Sequence, residues 1–309
     1  MRYVIGVDLG TSAVKVLLVD QVGQVCSESS REYPLYQERS GFSEQNPEDW
    51  VRETKLALSQ LLLTSGVDAN QIQGLSFSGQ MHGLVLLNKA REVIRPAILW
   101  NDTRTTEQCR QIESALGERL LQITRNPALE GFTLPKLLWV KQHEPTLFAQ
   151  TDVFLLPKDY VRYRFTGEMG LDLSDAAGTL LLDVREKQWS DVICQAVEID
   201  PHICPPLLDS QSCVGTLLSS VALETGLTNR TKVFAGGADN ACGAVGAGIL
   251  KPDAAMCSIG TSGVILAYEE SKDRDYAGKV HFFNHALTNA YYAMGVTLSA
   301  GHSLGWLRD

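Results

Sequence analysis

YVIGVDLGTSAVKVLLVD, Tyr3 to Asp20, consists of two β-rich runs joined by a Gly-Thr-Ser turn. Val4, Ile5 and Val7 lead in; Val14, Val16, Leu17, Leu18 and Val19 lead out. Residue type and run length therefore predict a buried hairpin. Gly10 lets the backbone approach a ligand closely, and the Thr11 and Ser12 hydroxyls with the successive N–H groups of the turn suit a phosphate. Asp8 stands beside the turn, where it could hold a hydrated Mg²⁺ on that phosphate, because Mg²⁺ keeps waters and takes few carboxylates. Lys15 could add a point charge. A hairpin whose Asp merely caps its own backbone accounts for the same residues, so this stretch alone leaves both readings open.

A second copy favours the phosphate reading. Ala254 to Ala267, AAMCSIGTSGVILA, repeats the plan and puts Gly260 and Thr261 in an equivalent turn. Two such hairpins so far apart suggest two related halves gripping one polyphosphate.

The 309 residues, 44% hydrophobic and 20% charged, have ordinary globular composition and enough length for two cored domains. A formal net charge of −9 argues against a nucleic-acid or anionic-membrane surface. No apolar run reaches the roughly 18 residues of a membrane span, and a strand begins at Tyr3, so a cytoplasmic protein without a signal peptide is expected. The seven cysteines contain no CxxC pair, which fits reduced thiols better than disulfides or zinc.

Further along, Gly23 to Ser29 reads as a third strand, and Asn46-Pro47-Glu48-Asp49 opens an amphipathic helix with Asn46 as its cap. Ile72 to Phe77 reads as a buried strand running into Ser78-Gly79-Gln80-Met81-His82-Gly83. The flanking glycines make Gln80, Met81 and His82 a candidate ligand edge. In Ile98-Leu99-Trp100-Asn101-Asp102-Thr103-Arg104, Trp100 is either a core aromatic or a ring stacked on a polyol, and Asp102 or Thr103 is expected to cap the next helix. Asp172 to Asp183 reads as a small-residue turn and a strand, and Trp189 to Ile199 as a short helix. Lys232 to Leu250, KVFAGGADNACGAVGAGIL, reads as a strand, a Gly-Gly turn and a helix of small residues. Asp239 at that junction is either a helix cap or a general base that takes a proton from a substrate hydroxyl as its oxygen attacks the γ-phosphorus.

Taken in order, VDLGTSAVK, SGQMHG, ILWNDTR, PKDYVR, SDAAGT, GGADNACGAVGAG and SIGTSG make the chain resemble the FGGY family of carbohydrate kinases, most closely its xylulokinase branch. The resemblance implies an α/β protein of two actin-like domains on RNase-H-like sheets, with D-xylulose and ATP meeting in the cleft between them. It implies Asp239 as proton acceptor, Asp8 as a catalytic carboxylate serving Mg²⁺-ATP, and Met81 and His82 on the sugar. Gln80, Trp100 and Asn240 complete the expected substrate wall. Gly10, Thr11, Ser12, Lys15, Gly260 and Thr261 form the expected phosphate-binding set. Met81-His82, where glycerol kinases carry an Arg-Glu pair, suits a ketopentose; ribulose, gluconate and glycerol kinases are the alternatives. Further alternatives are a sugar-binding unit without turnover and, ranked last, an actin-like ATPase or scaffold. A homodimer is the assembly considered.

Family members are much longer. The resemblance therefore makes residues 1–246 the sugar-binding domain and 247–309 the start of the nucleotide-binding domain, without its adenine loop. The strand Tyr291 to Val296 is then expected to lack partners and leave apolar surface.

Overall fold

The computed structural model describes residues 2–260, 263–297 and 299–308. β1 (Tyr3–Leu9) and β2 (Ala13–Asp20) form the expected hairpin, with Leu9 opposite Val14 and Asp8 opposite Lys15. Ile5, Val7, Leu9, Val14, Val16 and Leu18 are buried while Asp8 and Lys15 are exposed, the two-residue period of a strand with one face on a core. β3 (Val25–Glu32) starts later than Gly23, because Gly23, at φ +85°, closes the turn onto Asp20.

β4 (Glu44–Gln45) precedes α1 (Pro47–Ser65), which opens as the sequence predicts: the Asn46 side chain accepts the Glu48 N–H and Pro47 takes the first position. Trp50, Val51, Leu58 and Leu61 bury the face towards the sheet, and Leu56 is exposed. β5 (Ile72–Gly79) runs parallel to β1 and continues two residues past Phe77. β6 (Val85–Leu87) and β7 (Ala97–Ile98) follow. α2 (Thr106–Leu116) then opens after Thr105, with no side-chain cap. This corrects the expected cap. The Asp102 carboxylate is wholly buried and engaged elsewhere, accepting the Ser43 N–H at 2.6 Å and pairing with Arg104 at 2.7 Å.

After α3 (Glu118–Thr124), α4 (Thr133–His143), α5 (Pro145–Phe148) and β8 (Val153–Leu155) comes α6 (Pro157–Thr166), with Pro at its first turn. The stretch expected as a turn and a strand is β9 (Leu171–Asp172), α7 (Leu173–Ala176), a further single helical turn and β10 (Leu182–Asp183). Asp172 caps α7 by accepting the Ser174 N–H. The short helix expected from Trp189 is split: β11 (Gln188–Trp189) pairs with β10, and α8 (Asp191–Ala196) starts after Ser190, whose hydroxyl caps it. β12 (Leu207–Leu208), β13 (Cys213–Thr216) and α9 (Ser219–Thr225) lead to β14 (Lys232–Phe234), β15 (Gly237–Ala238) and α10 (Asp239–Gly246).

The large sheet has the order β13-β14-β5-β1-β2-β3, with β15 also on β5. Gly236 joins β14 to β15 at φ +80°. A Cβ there would lie 1.9 Å from the Phe77 carbonyl oxygen, so the backbone can pass only as glycine. Behind this crossing, Lys158 is buried among Asp159, Asp172 and Asp175, at 2.8, 2.7 and 3.2 Å. Burial presses against its charge, but the three carboxylates outweigh that and raise its pKa.

A second sheet, β16-β17-β19-β18, is built from β16 (Ala255–Ile259), β17 (Gly263–Glu269), β18 (His281–Asn284) and β19 (Tyr291–Thr297). α11 (Gly301–Arg308) follows it. The expectation that Tyr291 to Val296 would lack partners is corrected. β19 pairs on both sides, and Tyr291, Tyr292, Ala293 and Met294 are buried. The reason is that β18 docks on the first part of the chain: the Asn126 amide donates to the Phe282 carbonyl at 2.8 Å and the Asn284 amide to the Val184 carbonyl at 3.1 Å. Val296, at the far end of the stretch, does stay exposed, together with Ile259, Ile265, Leu304, Trp306 and Leu307.

Candidate active site

Three parallel strands end in one row. Leu9 of β1 stands beside Gly79 of β5, and Gly79 beside Ala238 of β15, so Gly10, Gln80 and Asp239 leave the same edge of the sheet. Ligands of open α/β sheets bind outside the carboxyl ends of such strands.

Asp239 is the first residue of α10 and partly buried. Its Oδ1 accepts from the Asn240 N–H at 2.6 Å and the Asn240 amide at 2.9 Å. Burial pushes the carboxyl up to about 7, with help from the Asp8 charge and against the Asn240 hydrogen bonds. A carboxylate tuned to that range is suited to accept a proton near neutrality. The Asn240 amide also touches Met81 Sδ at 3.7 Å, which joins the acid to the Met-His wall.

Met81 is buried, and His82 is partly buried with its Nδ1–H donating to the Gly178 carbonyl at 2.7 Å. Burial, then the Lys136 charge, lowers the imidazole pKa to about 3, so the ring is neutral and its Nε2 is an acceptor. A Cβ on Gly178 would lie 2.7 Å from His82 Nδ1 and 3.2 Å from Met81 Cε. Position 178 is thus a seat for both side chains. Phe132 covers the His82 ring at 4.7 Å between centroids, and Phe283 of β18 lies 6.3 Å away.

Gln80 is buried behind the first hairpin. Its amide donates to the Gly10 carbonyl and to Gln45 Oε1, both at 3.3 Å, and its Oε1 has no partner among the described residues. Gln45 in turn donates to the Thr11 carbonyl at 2.7 Å and accepts the Trp50 indole N–H at 2.9 Å, while the Tyr33 hydroxyl donates to the Gly10 carbonyl. Trp100 is partly exposed, and its indole N–H donates to Thr11 Oγ1 at 2.9 Å.

The Gly10 N–H closes the turn onto the Ala13 carbonyl at 3.0 Å. Asp8 is exposed beside the turn, and its carboxylate takes no hydrogen bond among the described residues. A carboxylate of this kind fits a hydrated Mg²⁺. The Lys15 ammonium rests on Glu28 at 3.2 Å, an exposed pair that holds it weakly. In the second hairpin the Gly260 carbonyl accepts the Gly301 N–H at 2.9 Å, tying that turn to α11; Thr261 lies outside the described residues.

The family profile "FGGY family of carbohydrate kinases, N-terminal domain" matches residues 3–246. The chain belongs to the FGGY family of carbohydrate kinases. It is 62% identical to xylulose kinase of Bacillus subtilis (strain 168) over all of its length, covering 62% of that protein. The crystal structure of a xyloylose kinase from Brucella ovis superposes with a TM-score of 0.94 at 37% identity, covering 99% of this chain and 63% of that one. Xylulose kinase from Rhodospirillum rubrum gives a TM-score of 0.95 at 26% identity, covering 99% and 62%. The FGGY kinase fold, an actin-like α/β architecture, is therefore the fold of this chain, which spans about three fifths of the length of the curated relatives it matches.

Sequence reasoning missed Lys136, Phe132 and Gly178 around His82, and the hydroxyl of Tyr292, buried near the Asp239 charge without a hydrogen-bond partner among the described residues. Lys136 carried a signal: it is the one cation within the apolar stretch LPKLLWV, Leu134 to Val140, of α4.

Proposed function

We propose that this sequence encodes an ATP:D-xylulose 5-phosphotransferase, residues 1–246 being its sugar-binding domain and 247–309 the start of its nucleotide-binding domain. Asp239 carries the reading: a carboxyl held near 7, partly buried at the end of a strand row, beside Met81, His82 and Asn240. The sugar lies against Met81, His82 and Trp100, with His82 Nε2 accepting from a sugar hydroxyl. Asp239 takes the proton of the 5-hydroxyl as that oxygen bonds to the γ-phosphorus, and the bond to the β–γ bridging oxygen breaks to release ADP.

Gly10, Thr11, Ser12, Gly260 and Thr261 cradle the phosphates, and Lys15 exchanges Glu28 for them. Asp8 would hold Mg²⁺ through water; the ion, when bound, offsets charge on the transferring group. The neutral Met-His wall supports a ketopentose over the alternatives. The location proposed is the cytoplasm; no helix of the described residues is long and apolar enough to cross a membrane. Homodimerisation is read by sedimentation.

Calorimetric titration with D-xylulose, D-ribulose, glycerol and gluconate tests the substrate. Saturable heat with D-xylulose, lost in His82→Ala, is expected; heat with another sugar only moves the reading to that kinase class. The span of about three fifths of its relatives supports a second reading, a unit that binds sugar without turnover. Sugar heat with no ADP release would favour it.

A further inference from the structure

Residue 82 is held in an unusual shape. The Gly83 N–H bonds to the Met81 carbonyl at 2.8 Å, closing a three-residue turn, and His82 at its centre has φ +68°. That is the rare, strained form of the γ-turn, and a side-chain-bearing residue there needs outside support.

The support comes from the start of α4, about fifty residues away in the chain. The His82 carbonyl accepts from two side chains, the Thr133 hydroxyl at 3.1 Å and the Lys136 ammonium at 3.0 Å. The same ammonium bonds the Gly131 carbonyl at 2.6 Å. Phe132 packs on the imidazole, so residues 131–136 grip His82 by both backbone and ring.

Lys136 is the unexpected member. It is fully buried, and among the described residues no carboxylate lies within ion-pair distance of its Nζ. Burying a charge without a counterion is costly, and burial lowers its pKa to about 7. A leucine or methionine would fill an apolar helix face without that cost. What those residues cannot do is place a charge-assisted donor on the carbonyl of a strained residue.

We infer that Lys136 and Thr133 are positioning residues which hold the Met81–His82–Gly83 turn in its left-handed form and so preset the imidazole for the sugar. This rests on the proposed sugar role of His82. Neither residue is placed on the substrate; both act through His82.

The test combines two readouts on the 309-residue chain. Crystal structures of Lys136→Met and Thr133→Val, which need no ligand, report the turn. In Lys136→Met, His82 is expected to leave positive φ and lose its bond to Gly178. Calorimetry then reports affinity: D-xylulose binding weakens about tenfold or more in Lys136→Met, as for loss of a charge-assisted hydrogen bond, and about two- to threefold in Thr133→Val. Ethylammonium added to Lys136→Ala should restore part of the affinity, which a packing role would not allow.

A Lys136→Met chain with His82 still left-handed on Gly178 overturns the inference. If that variant does not fold, unchanged affinity and an unchanged turn in Thr133→Val do the same. Failure of the wild-type chain to bind D-xylulose counts against the substrate, whereas the turn judges Lys136 alone.

Discussion

The two Gly-Thr-Ser hairpins share a sequence plan and differ in their surroundings. Aligned on the turn, Leu9 corresponds to Ile259: Leu9 is 0% exposed and Ile259 75%. In the first hairpin the alternate residues of both strands fill the core, and Gln80, Gln45, Tyr33 and Trp100 brace the turn from behind. In the second, none of the β16 residues is buried. The bond from the Gly301 N–H to Gly260 ties that turn to α11. The same local code therefore specifies a hairpin in both places, while distant residues decide how deeply each is packed.

The largest expected effect separates the hairpins chemically. Asp8 corresponds to Ser258 in the alignment. Under the proposed function, Asp8→Asn should lower D-xylulose-dependent ADP formation by about 10²- to 10³-fold, the scale of losing one aimed electrostatic group, and Ser258→Ala by far less. A coupled ADP assay checks this, and equal losses would erase the asymmetry. Next comes stability. Leu9→Ala should cost about 2–5 kcal/mol in urea unfolding, against about 0.5 kcal/mol or less for Ile259→Ala. Similar costs would mean that the second hairpin is packed as firmly as the first.

A smaller effect joins the first hairpin's edge to Asp239. Its folded pKa of about 7 lies above the ordinary carboxyl range, so the folded state binds the extra proton between those values. That contribution is present at acid pH and is lost as pH rises through about 7. Asp239→Asn should accordingly raise the thermal midpoint relative to wild type at pH 8 and not at pH 4, in a scan at both values. Under the proposed function, in which Asp239 is the base, turnover should rise with pH through about 7, since the base must be unprotonated. The smallest expected effect is Trp100→Phe, which keeps a ring but loses the bond to Thr11. A loss of about threefold in turnover is expected, read in the same ADP assay.

Much of this was legible because it is local. Alternation and a Gly-Thr-Ser turn specify β1 and β2, Asn46-Pro47 starts α1, and Gly-Gly before Asp239 marks a strand-to-helix junction. What escaped depends on the fold. Asp102 looks like a cap in sequence, yet Arg104 and the Ser43 N–H draw it into the core. Tyr291 to Val296 reads as unpartnered because nothing near it announces that Asn126 and Val184 will anchor the neighbouring strand. Gln80 reads as part of a ligand edge, and only the folded chain brings its amide to Gly10. The grip on His82 joins residues about fifty positions apart, a distance at which residue type alone carries no pairing information.

The passage of Gly236 under Phe77 also has an evolutionary side. A library of all single substitutions, selected for folded protein, should return only the parental residue at 236, whatever sugar is supplied. Neighbouring Lys232, on the exposed side of its strand, should accept nearly any polar replacement. Such a closed position is a fixed point around which a lineage can change its substrate without changing its scaffold.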